Sequence, residues 1–155
     1  MLSFDLVAET AVRLCMATIL GGLIGLNRDM HGKPAGLRTL GLVGLGAALV
    51  TLAVLNFDPS HPVPTDAISR VIQGVLAGVG FLGAGVIMRD DSGHVHRLNT
   101  AASIWVTAAL GVTCGLGAWV AAAITTVLVF ALLTVGTLVD HNFYGRLEKT
   151  QDPKD

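Results

Sequence analysis

Residues 117–139 read GAWVAAAITTVLVFALLTVGTLV, 23 positions without one Asp, Glu, Lys, Arg or His. About 20 apolar residues at ~1.5 Å rise per residue cross the ~30 Å hydrocarbon core of a bilayer, so this run has the length and chemistry of a membrane span. Working outward from it, the chain holds four more such stretches, over 98–112, 68–88, 40–57 and 6–26. A water-soluble domain of 155 residues has no room to bury five helices of this kind. The sequence predicts an all-α integral membrane protein, a bundle of about five transmembrane helices over 1–139, with 140–155 as a short tail.

Composition agrees. The chain is 52% hydrophobic and 14% charged, against about 25% charged in soluble domains. A net charge of -1 leaves no basic field of the kind that nucleic acid selects, so a nucleic-acid partner is not expected. Residues 1–9 carry Asp5 and Glu9 and no base, unlike the positive start of a signal peptide, so the first span is expected to be retained. Cys15 lies mid-span and Cys114 near a span end. Different depths argue against a disulfide, and their spacing matches no zinc site.

Lys and Arg alternate between the gaps. The leader has none; the first gap holds Arg28, Lys33 and Arg38; the gap near 58–69 has none, with Arg70 at its edge. The next gap holds Arg89 and Arg97, the turn at 113–116 none, and the tail Arg146, Lys149 and Lys154. Cationic segments stay cytoplasmic, which predicts a multi-pass protein with N-terminus out and C-terminus in. The loops are short: 31–36 is turn-rich, and 58–64 carries three prolines.

In lipid, small residues mark helix interfaces. In the first span Glu9, Arg13, Ala17, Gly21 and Gly25 recur every four residues along one stripe. The third span offers Gly74, Gly78, Gly80, Gly83 and Gly85. First and third spans are therefore the expected central helices, and the fifth is expected at the periphery.

A charge inside a span costs ~2.5–3.5 kcal/mol on insertion scales and needs a partner or a wet cavity. Glu9 and Arg13 can pair at i,i+4, and Arg70 and Gln73 fall at similar depth under the expected topology. These four residues form one candidate intramembrane cluster; the plainer reading is an ion pair that fixes helix register. On the other side of the membrane, Asn99, Thr100 and Ser103 open the fourth span, with Asn99 or Thr100 read as its N-cap.

Some signals carry less than their letters suggest. Gly78-Val79-Gly80-Phe81-Leu82-Gly83 fits G-x-G-x-x-G, but a dinucleotide fingerprint needs a strand before it, and here it sits inside an apolar run. Asp90, Asp91, His94 and His96 could hold a divalent ion weakly, though a solvated loop is the commoner outcome. Ser103 has no G-x-S-x-G context and shares no span with a histidine. Catalysis, a cofactor and a dedicated metal site are not expected.

Three segments together resemble the MgtC/SapB family of bacterial inner-membrane proteins. They are residues 22–39, GLIGLNRDMHGKPAGLRT; residues 78–89, GVGFLGAGVIMR; and residues 98–105, LNTAASIW. The resemblance is collinear and covers roughly 14–138. It implies five helices with the N-terminus out, a role in adaptation to low Mg²⁺ and, in intracellular pathogens, survival in macrophages and so virulence. It also implies regulation of a membrane partner, including the proton-translocating ATP synthase, rather than Mg²⁺ transport itself. Asn27 and Asp29 bracket Arg28 where the family usually has two acids, and His96-Arg97 stands where a basic residue and glycine are common. The chain reads as the short form, without the soluble C-terminal domain of longer members.

The resulting expectation is a non-catalytic protein of Mg²⁺ homeostasis that acts on a membrane partner. Arg28, Asp29, Arg38, Asn99 and Thr100 are its expected functional residues at the inner surface, although Arg28 and Arg38 also serve as plain topology anchors. The alternative is an oligomeric Mg²⁺ or other ion transporter or channel along the third helix. Such a path needs polar groups at several depths, and 76–84 is apolar.

Overall fold

Where the backbones of three helices meet, glycine lets them touch. The computed structural model describes residues 4–56, 62–89 and 95–148. In chain order the elements are α1 (Phe4–Met30), α2 (Leu37–Leu55), α3 (Thr65–Val86), β1 (Met88–Arg89), β2 (Val95–His96), α4 (Leu98–Gly115) and α5 (Trp119–Glu148). Each of the five helices holds a window long and apolar enough to cross a membrane. The helices overlap the expected spans with shifted ends: α1 runs on to Met30, α4 to Gly115 and α5 to Glu148, while α2 stops at Leu55 and α3 at Val86. A two-residue antiparallel ladder pairs Met88 with His96 and Arg89 with Val95 where the sequence predicts only a loop. Asp90, Asp91 and His94 of the weak metal reading, and Lys149 and Lys154 of the tail, lie outside the described residues.

The centre is α4, whose span window is 56% buried, against 11% for each of α3 and α5. It packs on α2, α3, α1 and α5, and α1 packs along α2. A Cβ placed on Gly111 would collide with the Gly44 carbonyl, and one on Gly115 would lie 2.8 Å from Thr51 Cβ. A Cβ on Gly44 would lie 2.6 Å from the Ala17 carbonyl oxygen, and one on Gly21 2.6 Å from that of Leu40. Close approach of this kind replaces the hydrophobic drive that lipid does not provide. Around these crossings the fully buried Ile24, Leu40, Ala48, Ala108 and Leu110 fill the core.

This overturns the expectation that α3 is central. Gly21 and Gly25 of α1 are buried at interfaces, but Cβ atoms on Gly74, Gly78, Gly80 and Gly85 would meet nothing within 4 Å. Only Gly83 faces a neighbour, Ala101 at 3.6 Å. Glycine spacing marks a face that permits close approach; it does not name the partner. The peripheral place expected for the fifth span is what α5 occupies. Gly74→Ala and Gly78→Ala should therefore leave thermal unfolding in detergent within about 1 kcal/mol of wild type, alanine being the better helix former.

Candidate functional site

The first inner-loop segment closes on itself through one arginine. Arg28 sits in the last turn of α1, where the helix dipole favours a cation. Its own carbonyl accepts the amides of His31 (3.1 Å) and Lys33 (3.0 Å), and positive φ at Gly32 and Ala35 turns the chain back. That return brings the Pro34 carbonyl onto the guanidinium, 3.1 Å from Nε and 2.8 Å from Nη2. Gly25 makes the return possible, because a Cβ there would lie 2.5 Å from the Gly36 carbonyl carbon. Asp29 completes the loop. Gly36 supplies no side-chain cap to α2, so Asp29 Oδ2 accepts the Leu37 amide at 2.9 Å and satisfies one of the unpaired N–H groups of that helix start.

The other half of the site comes from α4. Arg28 Nη2 donates to Thr100 Oγ1 at 2.7 Å and Nη1 to Ser103 Oγ at 3.0 Å. Arg28 is 1% exposed, and Thr100 and Ser103 are buried with it. The expected N-cap role of Asn99 or Thr100 is not found. Helix α4 starts at Leu98 with Arg97 as its N-cap residue, in the left-handed region at φ 69 and without a side-chain cap bond. Thr100 turns inward to Arg28 instead, since a buried guanidinium needs its donors satisfied more than a helix end in reach of water does. A left-handed Arg97 also explains why glycine suits this position.

Beside this knot lies a cleft of about 390 Å³ between α4 and α5. Arg28, Lys33, Asn99 and Ser103 bound its polar end, and Val106, Val129 and Leu132 are among its apolar walls. Arg38 does not belong to it. That residue is exposed and lines a separate, apolar cleft between α1 and α2 with Thr18, Ile19 and Gly41. The expected inner-surface set thus divides: Arg28 and Asn99 line one cleft, Thr100 is bonded to Arg28, Asp29 ties the loop, and Arg38 stands apart.

At the opposite end of the bundle the four-residue cluster also divides. Arg13 Nη2 is paired with Glu9, and Nη1 donates to the Gly115 carbonyl at 2.7 Å. Gly117, at φ +72, leaves room for the guanidinium. Arg13 therefore caps the C-terminus of α4 from α1, a structural clamp. Arg70 and Gln73 do not join it. Both are exposed on α3, and among the described residues Arg70 Nε reaches the Asp66 carbonyl of its own helix at 3.4 Å. The reason is α3's lateral position: it packs on α4 and α2 rather than α1. Arg13→Met should lower stability by about 1–3 kcal/mol, whereas Arg70→Ala should change it by less than about 0.5 kcal/mol; chemical unfolding in detergent separates the two.

The sequence pattern of the MgtC family matches residues 14–141, a region that contains α2, α3 and α4, both clefts around Arg28 and Arg38, and most of α1 and α5. The chain belongs to the MgtC family. It is 45% identical over 131 residues to protein SrpB of Synechococcus elongatus, covering 79% of this chain and 71% of SrpB. It is 42% identical over 118 residues to protein MgtC of Salmonella typhimurium, covering 76% of this chain and 48% of that protein. With protein MgtC of Brucella abortus it shares 44% over 126 residues, covering 81% and 50%. The chain thus spans about half the length of these two MgtC proteins. No solved structure matches it. Family membership and five span-length helices make this a multi-pass membrane protein.

Within this MgtC-family bundle, three contributors to the site escape a reading of the sequence: Lys33, the Pro34 carbonyl, and Ser103 as a partner of Arg28. Thr100, Ser103 and Thr107 do recur at i+3 and i+4 on α4 and are all buried, a polar stripe that marks the face turned toward α1. A backbone carbonyl in a turn leaves no such trace.

Proposed function

We propose that this MgtC-family protein acts without catalysis in a bacterial inner membrane, regulating a membrane partner under Mg²⁺ limitation. The resemblance implies the proton-translocating ATP synthase as one such partner and an N-terminus outside; a homo-oligomer is a further partner state compatible with this reading. In that topology the Arg28 end of the bundle faces the cytoplasm. The observation that supports regulation over permeation is the packing at mid-bundle. Backbone contact between α2 and α4 at Gly44 and Gly111 leaves no room there for even one added carbon. The buried hydroxyls on either side of that crossing, Thr51 and Thr107, bond carbonyls of their own helices at 2.8 and 2.7 Å. A cation path needs polar groups free to replace water at successive depths. Arg38, exposed at the rim of the α1–α2 cleft, is the residue best presented to a partner.

Two measurements test this together. Purified protein in liposomes holding a Mg²⁺ indicator is expected to give no flux above protein-free vesicles. Arg38→Ala is expected to insert normally yet to reduce growth in low Mg²⁺. Saturable Mg²⁺ flux would replace regulation with transport, and unchanged growth at normal protein levels would remove Arg38 from the function.

A further inference from the structure

Arg28 is a buried cation with no anion beside it among the described residues. Each acceptor it meets is neutral: the Pro34 carbonyl and the Thr100 and Ser103 hydroxyls. The one ion pair among the described residues is Arg13 with Glu9, at the far end of α1. The neighbouring Asp29 is turned to the Leu37 amide. Lys33, half-buried, lines the same α4–α5 cleft, so among the described residues two cations and no carboxylate bound it. A positive charge taken out of water is costly until something of opposite sign approaches. The hydrogen bonds to neutral groups hold the guanidinium in place without supplying an opposite charge.

The rest of the cleft says what kind of anion fits. Below the polar rim the walls are apolar, from Val106 of α4 and Val129, Leu132 and Gly136 of α5. Leu132 is 73% exposed, so the cleft opens sideways onto the apolar flank of the bundle. The polar rim lies where α1 ends and α4 begins, at the level of lipid headgroups for a helix that spans the membrane. A volume of about 390 Å³ falls within the ~300–1,000 Å³ of small-ligand sites. We propose that this cleft binds the phosphate-bearing headgroup of an anionic phospholipid, with an acyl chain along the α4–α5 wall. The Lys33 ammonium and the Asn99 amide contact the phosphate, and Arg28 supplies charge from behind them at short range in a low dielectric. The bound lipid then joins α5, otherwise weakly packed, to the loop after α1.

The test uses the full chain, stripped of lipid in a neutral detergent, with phosphatidylglycerol, phosphatidylcholine or inorganic phosphate added. Native mass spectrometry and thermal unfolding are the readouts. One phosphatidylglycerol per protomer should be retained and should raise the melting temperature, with phosphatidylcholine bound at least tenfold more weakly. Lys33→Gln combined with Asn99→Ala should weaken phosphatidylglycerol about tenfold, near 1.4 kcal/mol. Gly136→Leu is the second variant. A Cβ there meets nothing within 4 Å, so the protein folds while the added side chain fills the apolar part of the cleft and lipid retention is lost. Equal retention of the two lipids, or retention unchanged in both variants, would overturn the site. Inorganic phosphate that stabilises wild type and Gly136→Leu alike would assign the rim to a free anion and overturn the lipid.

Discussion

Gly111→Val is expected to prevent stable folding in detergent. A Cβ at Gly111 collides with the Gly44 carbonyl and would lie 2.9 Å from Ala47 Cβ. Neither neighbour is the end of a flexible side chain. To admit the new atoms α2 and α4 must move apart, and the contacts of Gly44 with α1 and of Gly115 with Thr51 open with them. Overpacking a tight core typically costs about 1–3 kcal/mol; here three helices share the crossing, so the loss should sit at or above the top of that range. The measurement is the fraction of monodisperse protein after extraction, with Gly78→Val as the matched control on the open face of α3. A Gly111→Val protein that purifies and unfolds like wild type would show that α2 and α4 do not meet backbone to backbone.

Arg28→Lys should be the most damaging conservative change in the chain. The guanidinium reaches Pro34, Thr100 and Ser103 at once because its donors lie in a rigid planar fork. An ammonium is a point charge on a flexible stem and cannot span a carbonyl on one side and two hydroxyls on the other. It would keep the buried charge while losing about two of its bonds. Hydrogen bonds to charged groups contribute about 1.5–3 kcal/mol each, so a loss of about 3 kcal/mol follows. Two readouts check it: chemical unfolding in detergent, and cleavage within 31–36 by a protease of broad specificity, which should quicken as Pro34 is released. Stability within about 0.5 kcal/mol of wild type would mean that Arg28 does not tie the loop to α4. Arg38→Lys, exposed and outside this knot, should change neither readout.

Much of the membrane character of this molecule is legible in one dimension. The spans follow from apolar runs, because a helix must satisfy its own backbone in lipid and needs a fixed length to cross it. Glu9 with Arg13 is also a local matter, since four residues bring them to the same face of one helix. The importance of Arg28 is visible as a charge at a span end, and that of Thr100 as a polar residue opening the next span but two.

The pairing of Arg28 with Thr100 and Ser103 is not legible in that way, being a contact across more than seventy residues. Nor is the separation of Arg70 from Arg13, which depends on α3 lying to one side. By itself the sequence determined the five helices, their lipid-facing chemistry and the glycines on which they can meet. Only the tertiary structure decided which of those glycines are used, that α4 and not α3 is central, and that the cation at the end of α1 faces neutral partners. Periodicity reports which face of a helix is suited to contact. Which helix arrives at that face depends on the packing of all five together.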